Sequence, residues 1–262
     1  MGTFYFDDTI QHVGEFVLGG LIYSKEGLND RVSDALLKHG FTPGQDEYKS
    51  GTYMRVNSKM AELREELHKI LADYTQIAVA VLPLAERKSL GVAGLHLLSK
   101  VIINNRLGEG PHTAYFDEGM FNSDKEMSKT VADLGLHKSV IFYGEQDSKT
   151  VLGLQLADLV AHTCGLMLRD SLGLLKKTIK AGKESGYEPE LEIDLGFVLW
   201  ARIRYCFFHA PSMLQSDKEF FDVKDFTVDV KSCGLHITKS CSAQLKEAAE
   251  TRFGTMYLGC IH

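Results

Sequence analysis

The chain has 262 residues, with 29 Lys and Arg against 35 Asp and Glu, a formal net charge of −6. That balance excludes a uniformly basic nucleic-acid coat, and the length sets one core, or one core with a smaller appendage, because single cores stop growing near roughly 250–300 residues. Hydrophobic residues at 44%, charged residues at 24% and only 5 prolines exclude disordered, collagenous and coiled-coil chains.

The longest apolar run, residues 77–85, contains a proline and falls short of the ~18 residues a membrane helix needs. The opening Met1-Gly2-Thr3-Phe4-Tyr5-Phe6 has neither the basic region nor the apolar core of a signal peptide. Cys164, Cys206, Cys233, Cys241 and Cys260 form an odd set without a CxxC pair, the usage of reduced thiols and a cytoplasmic chain. Cys233, His236 and Cys241 lie close enough in sequence for zinc, although a fourth spaced ligand is missing.

In chain order, the aromatic run 3–8 stops at two carboxylates, and 15–23 is a second apolar run, so the two form a hairpin. Residues 28–39 and 58–74 carry apolar side chains at steps of three and four, the spacing of helices. A buried strand over 75–84, a helix over 91–105 and strands over 112–118 and 138–144 follow. Asp147-Ser148 reads as the N-cap of an almost wholly apolar helix over 151–168. The pattern is that of an α/β domain with a mixed sheet.

Composition changes near Asp170, where Lys176, Lys177, Lys180 and Lys183 lie on a polar, helix-like stretch. The expected division is a domain over 1–170 and a C-terminal α+β extension over 171–262. Within the extension, 195–208 is apolar, 226–230 and 234–238 are short strand candidates, and 242–252 is helical. A homo-oligomer or a protein partner engaged through this extension is the expectation for its role.

The apolar helix over 151–168 keeps Gln155, Asp158 and His162 on one face. Asp158 needs a hydrogen-bonded partner, an Arg such as Arg202, or a metal, since burying an unpaired carboxylate costs several kcal/mol. Asp7 and Asp8 at the end of one strand, and Asp117 and Glu118 at the end of another, stand where ligand sites gather in open α/β sheets. Asp7, Asp117 and Asp158 can converge, and clustered carboxylates repel unless a divalent cation lies between them. Ser148 and Lys149 before the helix can meet a phosphate. Glu47 and Lys49 sit in a polar segment that reads as an exposed turn or as a further carboxylate and cation for the same site.

The string Asp147-Ser148-Lys149 followed by Gly153-Leu154-Gln155-Leu156-Ala157-Asp158-Leu159-Val160-Ala161 resembles the signature of an uncharacterised bacterial family of ribonuclease H-like fold, domain of unknown function 3800. Glu47-x-Lys49 resembles that family's Glu-x-Lys motif, and 4–8 its opening strand. The chain departs at the opening, where the family has Asp-Glu-Ser-Gly and this chain has Asp7-Asp8-Thr9-Ile10.

The resemblance implies a ribonuclease H-like mixed sheet flanked by helices, with Asp7, Asp117 and Asp158 as a metal-binding acidic centre and Glu47 as a fourth catalytic carboxylate. It implies two Mg²⁺ or Mn²⁺ ions roughly 3.5–4 Å apart and phosphodiester hydrolysis, as a nuclease in phage defence or mobile-element biology. Lys49, Ser148, Lys149, Gln155 and His162 would contact substrate, Lys49 and Lys149 neutralising the phosphate and His162 relaying a proton or orienting the acid. Arg55, Lys59 and Arg64 are further cations near the site, and no aromatic platform is evident in the sequence. The altered opening also fits an alternative, a catalytically silent scaffold that binds a protein.

Overall fold

The computed structural model describes residues 1–52, 56–108, 110–182, 187–209 and 229–258. Arg55, Lys183, Cys260 and the first part of the 226–230 strand candidate lie outside the described residues.

The main elements are β1 (Thr3–Gln11), β2 (Phe16–Ser24), α1 (Asn29–Lys38), α2 (Ser58–Tyr74), β3 (Gln76–Pro83), α3 (Leu90–Asn104), β4 (His112–Asp117), α4 (Asp124–Asp133), β5 (Val140–Gln146) and α5 (Leu154–Ser171). There follow β6 (Thr178–Lys180), β7 (Glu192–Asp194), α6 (Leu195–Ile203), β8 (Asp229–Lys231), β9 (Leu235–Ile237), α7 (Ala243–Phe253) and β10 (Thr255–Tyr257).

Six strands form one mixed sheet in the order β5-β4-β1-β2-β3-β9. β1, β2 and β3 pair antiparallel, while β4 runs parallel to β1, β5 parallel to β4, and β9 parallel to β3. This is a mixed sheet flanked by helices, as the alternation of strands and helices in the sequence predicts.

Alternation along β1 divides the core. Phe4 and Phe6 point to one face and pack with Phe116, Leu21 and α3; Tyr5 points to the other and joins Ile22, α1, α2, α5 and α7. Helices thus cover both faces.

β1 continues through Thr9 and Ile10 to Gln11, so Asp7 and Asp8 lie within the strand, opposite Gly20 and Gly19 of β2, rather than at its end. α4 went unread in the sequence; Ser123 caps it, its side chain accepting the Glu126 N–H, and its apolar face is short, Met127, Val131 and Leu134, none of them fully buried.

The boundary expected near Asp170 does not separate two cores. β9 is a strand of the main sheet, and Leu245, Ala249 and Phe253 of α7 belong to the core under α5. Arg252 fastens α7 to the end of α5, donating to Ser171 Oγ at 2.7 Å and Asp170 Oδ2 at 2.9 Å. The polar stretch after Asp170 is not a helix: its 178–180 portion pairs with 192–194 as a hairpin, with Lys180 on Glu190.

The zinc cluster does not form either. Cys241 is buried and directs its thiol to the Val81 carbonyl at 3.5 Å, and Cys233 packs on the second core cluster. His236 stacks on His96 with ring centroids 5.9 Å apart. Among the described residues no helix is long and apolar enough to cross a membrane.

Candidate active site at the acidic centre

Parallel pairing puts Phe6 opposite Phe116, so the next residues along, Asp7 and Asp117, are neighbours on the two central strands. Both side chains share the face carrying Tyr5 and Tyr115, and the charge of the Asp117 carboxyl bears directly on Asp7. Asp7 is 7% exposed. Burial, then the charges of Asp117 and Asp158, hold its carboxyl well above the ordinary range. Burial likewise pushes Asp117 up to about 6, while Lys49 acts in the opposite direction.

α5 brings Asp158 to this pair through a stripe of small residues. A Cβ on Gly153 would strike the Tyr5 ring, and one on Gly165 would meet Thr9 and Gln11. Between them Ala157 and Ala161 lie against Gly20, the partner of Asp7. The spacing of four keeps these residues on the sheet side.

Asp158 is half-buried and takes the N–H of Ser50 at 2.8 Å and its hydroxyl at 2.5 Å, not Arg202, which pairs with Glu65 at 2.8 Å. Burial raises its carboxyl, and the Ser50 bonds and Lys49 work against that rise.

The segment around Glu47 is not an exposed turn. Tyr48 is buried, and its N–H donates to Gln155 Oε1 at 2.8 Å. Gln155 Nε2 donates to the Ser148 carbonyl at 3.0 Å, and Ser148 Oγ to Glu47 Oε2 at 2.7 Å. Arg64 of α2 completes the clamp, reaching Tyr48 Oη at 2.9 Å and the Ser50 carbonyl at 2.8 Å. Gln155 and Ser148 therefore hold the chain to itself: Gln155 is 1% exposed and engages both ends of its amide in tying Tyr48 to Ser148. The roles of Ser50, Tyr48 and Arg64 escaped the sequence, since the pattern gives no sign that this segment lies across α5.

Lys49 Nζ stands 3.2 Å from Glu47 Oε2. Burial lowers the lysine, but the Glu47 bond and the charges of Asp158 and Asp117 outweigh it and leave it raised. Glu47 thus orients Lys49 and Ser148. Asp147 does not cap α5, which starts at Leu154 with Gly153 before it; the Asp147 carboxylate instead accepts the Lys149 N–H at 2.8 Å within its own turn. The Lys149 ammonium makes no ion pair among the described residues.

His162 is set apart. Burial, then Arg64 and Arg169, lower its imidazole to about 4, so it is neutral at pH 7. Asp8 points to the opposite face of β1, where Arg87 bears on it and its Oδ2 lacks a partner. Glu145, on a bulge that shifts β5 against β4, accepts the N–H groups of Gly119 and Phe121 at 2.7 and 3.2 Å and fixes the turn after Asp117.

The donor set fits a hard divalent cation in part. Asp7 and Asp117 offer adjoining carboxylate oxygens, and the charges that bear most on Asp7 are all negative. Asp158, however, spends both oxygens on Ser50, and among the described residues no three His, Cys, Asp or Glu side chains stand together as a cage for one ion.

No protein-family model matches the chain, and no curated protein matches it. Among solved structures, a chain of the complex of PCNA with RNase HII from Archaeoglobus fulgidus is similar, with 15% identity and a TM-score of 0.41 over 79% of this chain and 93% of that one. So distant a likeness assigns no activity.

Proposed function

We propose that the chain is a divalent-metal-dependent phosphodiester hydrolase acting on nucleic acid. The observation that carries this reading is the pairing of buried Asp7 with half-buried Asp117 on adjacent strands, with the negative charge of Asp158 beside them. A fold gains nothing in stability from such crowding, and sites of this kind are where function is found.

A divalent cation at such a site supplies Lewis acidity to a phosphoryl group. Asp7 and Asp117 would hold it once their carboxyls have lost their protons. Asp158, kept in place by Ser50, adds negative charge beside the pair. Glu47 aims Lys49 at the phosphate, and Lys149 adds a second cation. The overall charge of −6 is no obstacle, because phosphate binding depends on local Lys and Arg.

The test is cleavage of labelled single-stranded and duplex RNA and DNA in Mn²⁺, Mg²⁺ or EDTA, with Asp7→Asn and Asp117→Asn beside the wild type. Cleavage is expected to need both the metal and both carboxylates. Wild-type protein that binds no Mn²⁺ by calorimetry and cuts no substrate would sink the reading.

A further inference from the structure

Tyr5, Tyr115 and Tyr143, far apart in sequence, stack in one row across three strands. The centroids of Tyr5 and Tyr115 are 5.6 Å apart with planes at 22°, and those of Tyr115 and Tyr143 are 5.1 Å apart at 15°. Register creates the row: Tyr5 pairs with Tyr115 across β1 and β4, and Tyr115 with Tyr143 across β4 and β5.

The row runs from core to solvent. Tyr5 is buried, its hydroxyl accepting the Leu28 N–H at 3.3 Å; Tyr115 is half-buried; Tyr143, on the edge strand, is 44% exposed. α5 packs over β1 and β2, and beside Tyr143 on the same face Ile141 is 49% exposed. The outermost ring is therefore held rigidly from behind while remaining open to solvent.

The row also adjoins the acidic centre. Asp7 and Asp117 lie two residues beyond Tyr5 and Tyr115, about 7 Å at the rise of a strand. The two inner rings wall a cleft of about 590 Å³ whose other side carries Glu26, Asp30 and Asp34. Of these Glu26 is paired with Arg31, which also lines the cleft, so Asp30 and Asp34 leave that side negative and unfavourable to phosphate, whereas Lys49 lies within electrostatic reach of Asp117 and Asp158. The charges favour one orientation for a nucleotide, phosphate at Lys49 and base toward the tyrosines.

We infer that Tyr143, backed by Tyr115 and Tyr5, is a stacking platform for an unpaired nucleobase beside the cleaved linkage, so that the substrate is single-stranded there. This rests on the hydrolase reading of Asp7 and Asp117. A base inside a duplex already has both faces covered, whereas an unpaired base stacks on an aromatic ring with little regard to its identity.

The experiment is fluorescence anisotropy with labelled single-stranded RNA, single-stranded DNA and blunt duplex, each about twelve nucleotides long, in Ca²⁺ to hold turnover down, followed by cleavage in Mn²⁺. Tyr143→Ala is expected to weaken single-strand binding by about 5- to 150-fold, and Tyr143→Phe and Tyr143→Trp to keep it within about threefold, because the ring does the binding. The RNA and DNA arms tell which strand is preferred. Equal binding by Tyr143→Ala and wild type, or duplex binding as tight as single-strand binding, overturns the platform. Cleavage that needs Asp7 but ignores Tyr143→Ala defeats the platform alone. Single-strand binding that needs Tyr143 without any cleavage supports the platform and defeats the hydrolase reading.

Discussion

Gly20 of β2 faces Ala161 of α5 so closely that a Cβ on the glycine would lie 2.8 Å from the Ala161 nitrogen and 3.0 Å from the Ala157 carbonyl oxygen. Gly20 is also the register partner of Asp7, so the contact that lets α5 rest on the sheet is the one that delivers Asp158 to the acidic centre. Gly20→Ala must push backbone, which cannot rotate away as a side chain would. We expect a loss of about 1–3 kcal/mol in urea unfolding, together with weaker Mn²⁺ binding by calorimetry. Unchanged stability would mean that α5 shifts freely and does not fix Asp158.

The pH dependence follows from the raised carboxyls. Asp7 and Asp117 hold protons in the fold that the unfolded chain releases near its ordinary pKa of ~4. Their contribution is complete below that value and is lost as pH rises through the folded pKa, about 6 for Asp117. His68, His162 and His236, each lowered to about 4 by burial first, act oppositely: their contribution is complete above ~6.5 and is lost as pH falls. The two effects overlap, so only a difference isolates the acids. In metal-free buffer, Asp7→Asn is expected to gain on wild type by about 1–3 kcal/mol between pH 4 and pH 7. Saturating Mn²⁺ should reverse that order, since only the wild type keeps both carboxylates. Parallel stability curves for the two proteins would show that the pair is uncrowded.

Gln155 is a structural clamp, and its loss has a distinct signature. Gln155→Ala leaves the Tyr48 N–H and the Ser148 carbonyl without partners in a buried place, at a cost of about 2–4 kcal/mol by urea unfolding. Gln155→Glu keeps the acceptor for Tyr48 but sets a carboxylate against the Ser148 carbonyl and near Asp158, so it should be no better. A side chain that contacted substrate alone would leave stability untouched in both variants.

Much of the fold was legible because its signals are local. α2 and α3 declare themselves by apolar steps of three and four, and β3 by a short β-branched run, and each appears within a residue or two of its expected bounds. α4 offers only the short, half-buried apolar face of Met127, Val131 and Leu134 behind the capping pair Ser123 and Glu126, a weaker signal than that of α2 or α3. The carboxylates could be nominated from sequence, but their adjacency could not, because it depends on the parallel pairing of β1 with β4 across a hundred residues of chain. The same long-range pairing makes the tyrosine row and brings β9 into the sheet, so neither has a sequence signature of its own. The stripe Gly153, Ala157, Ala161 and Gly165 was in plain view, its period of four marking the side of α5 that must approach the sheet.

His162 offers the sharpest separation between the sequence reading and the structure. A proton relay near the acidic centre needs an imidazole that titrates close to working pH. Here burial, Arg64 and Arg169 lower it to about 4, so it neither donates nor exchanges a proton at pH 7. We expect its ring resonances to titrate near pH 4 by NMR, and His162→Gln to leave the shape of any cleavage profile between pH 5 and pH 8 unchanged. The stability difference between wild type and His162→Gln should move against the wild type by up to about 3 kcal/mol as pH falls from 7 to 4, because the buried ring must then be charged. A midpoint near 6.5 would instead place the imidazole in water and restore the relay.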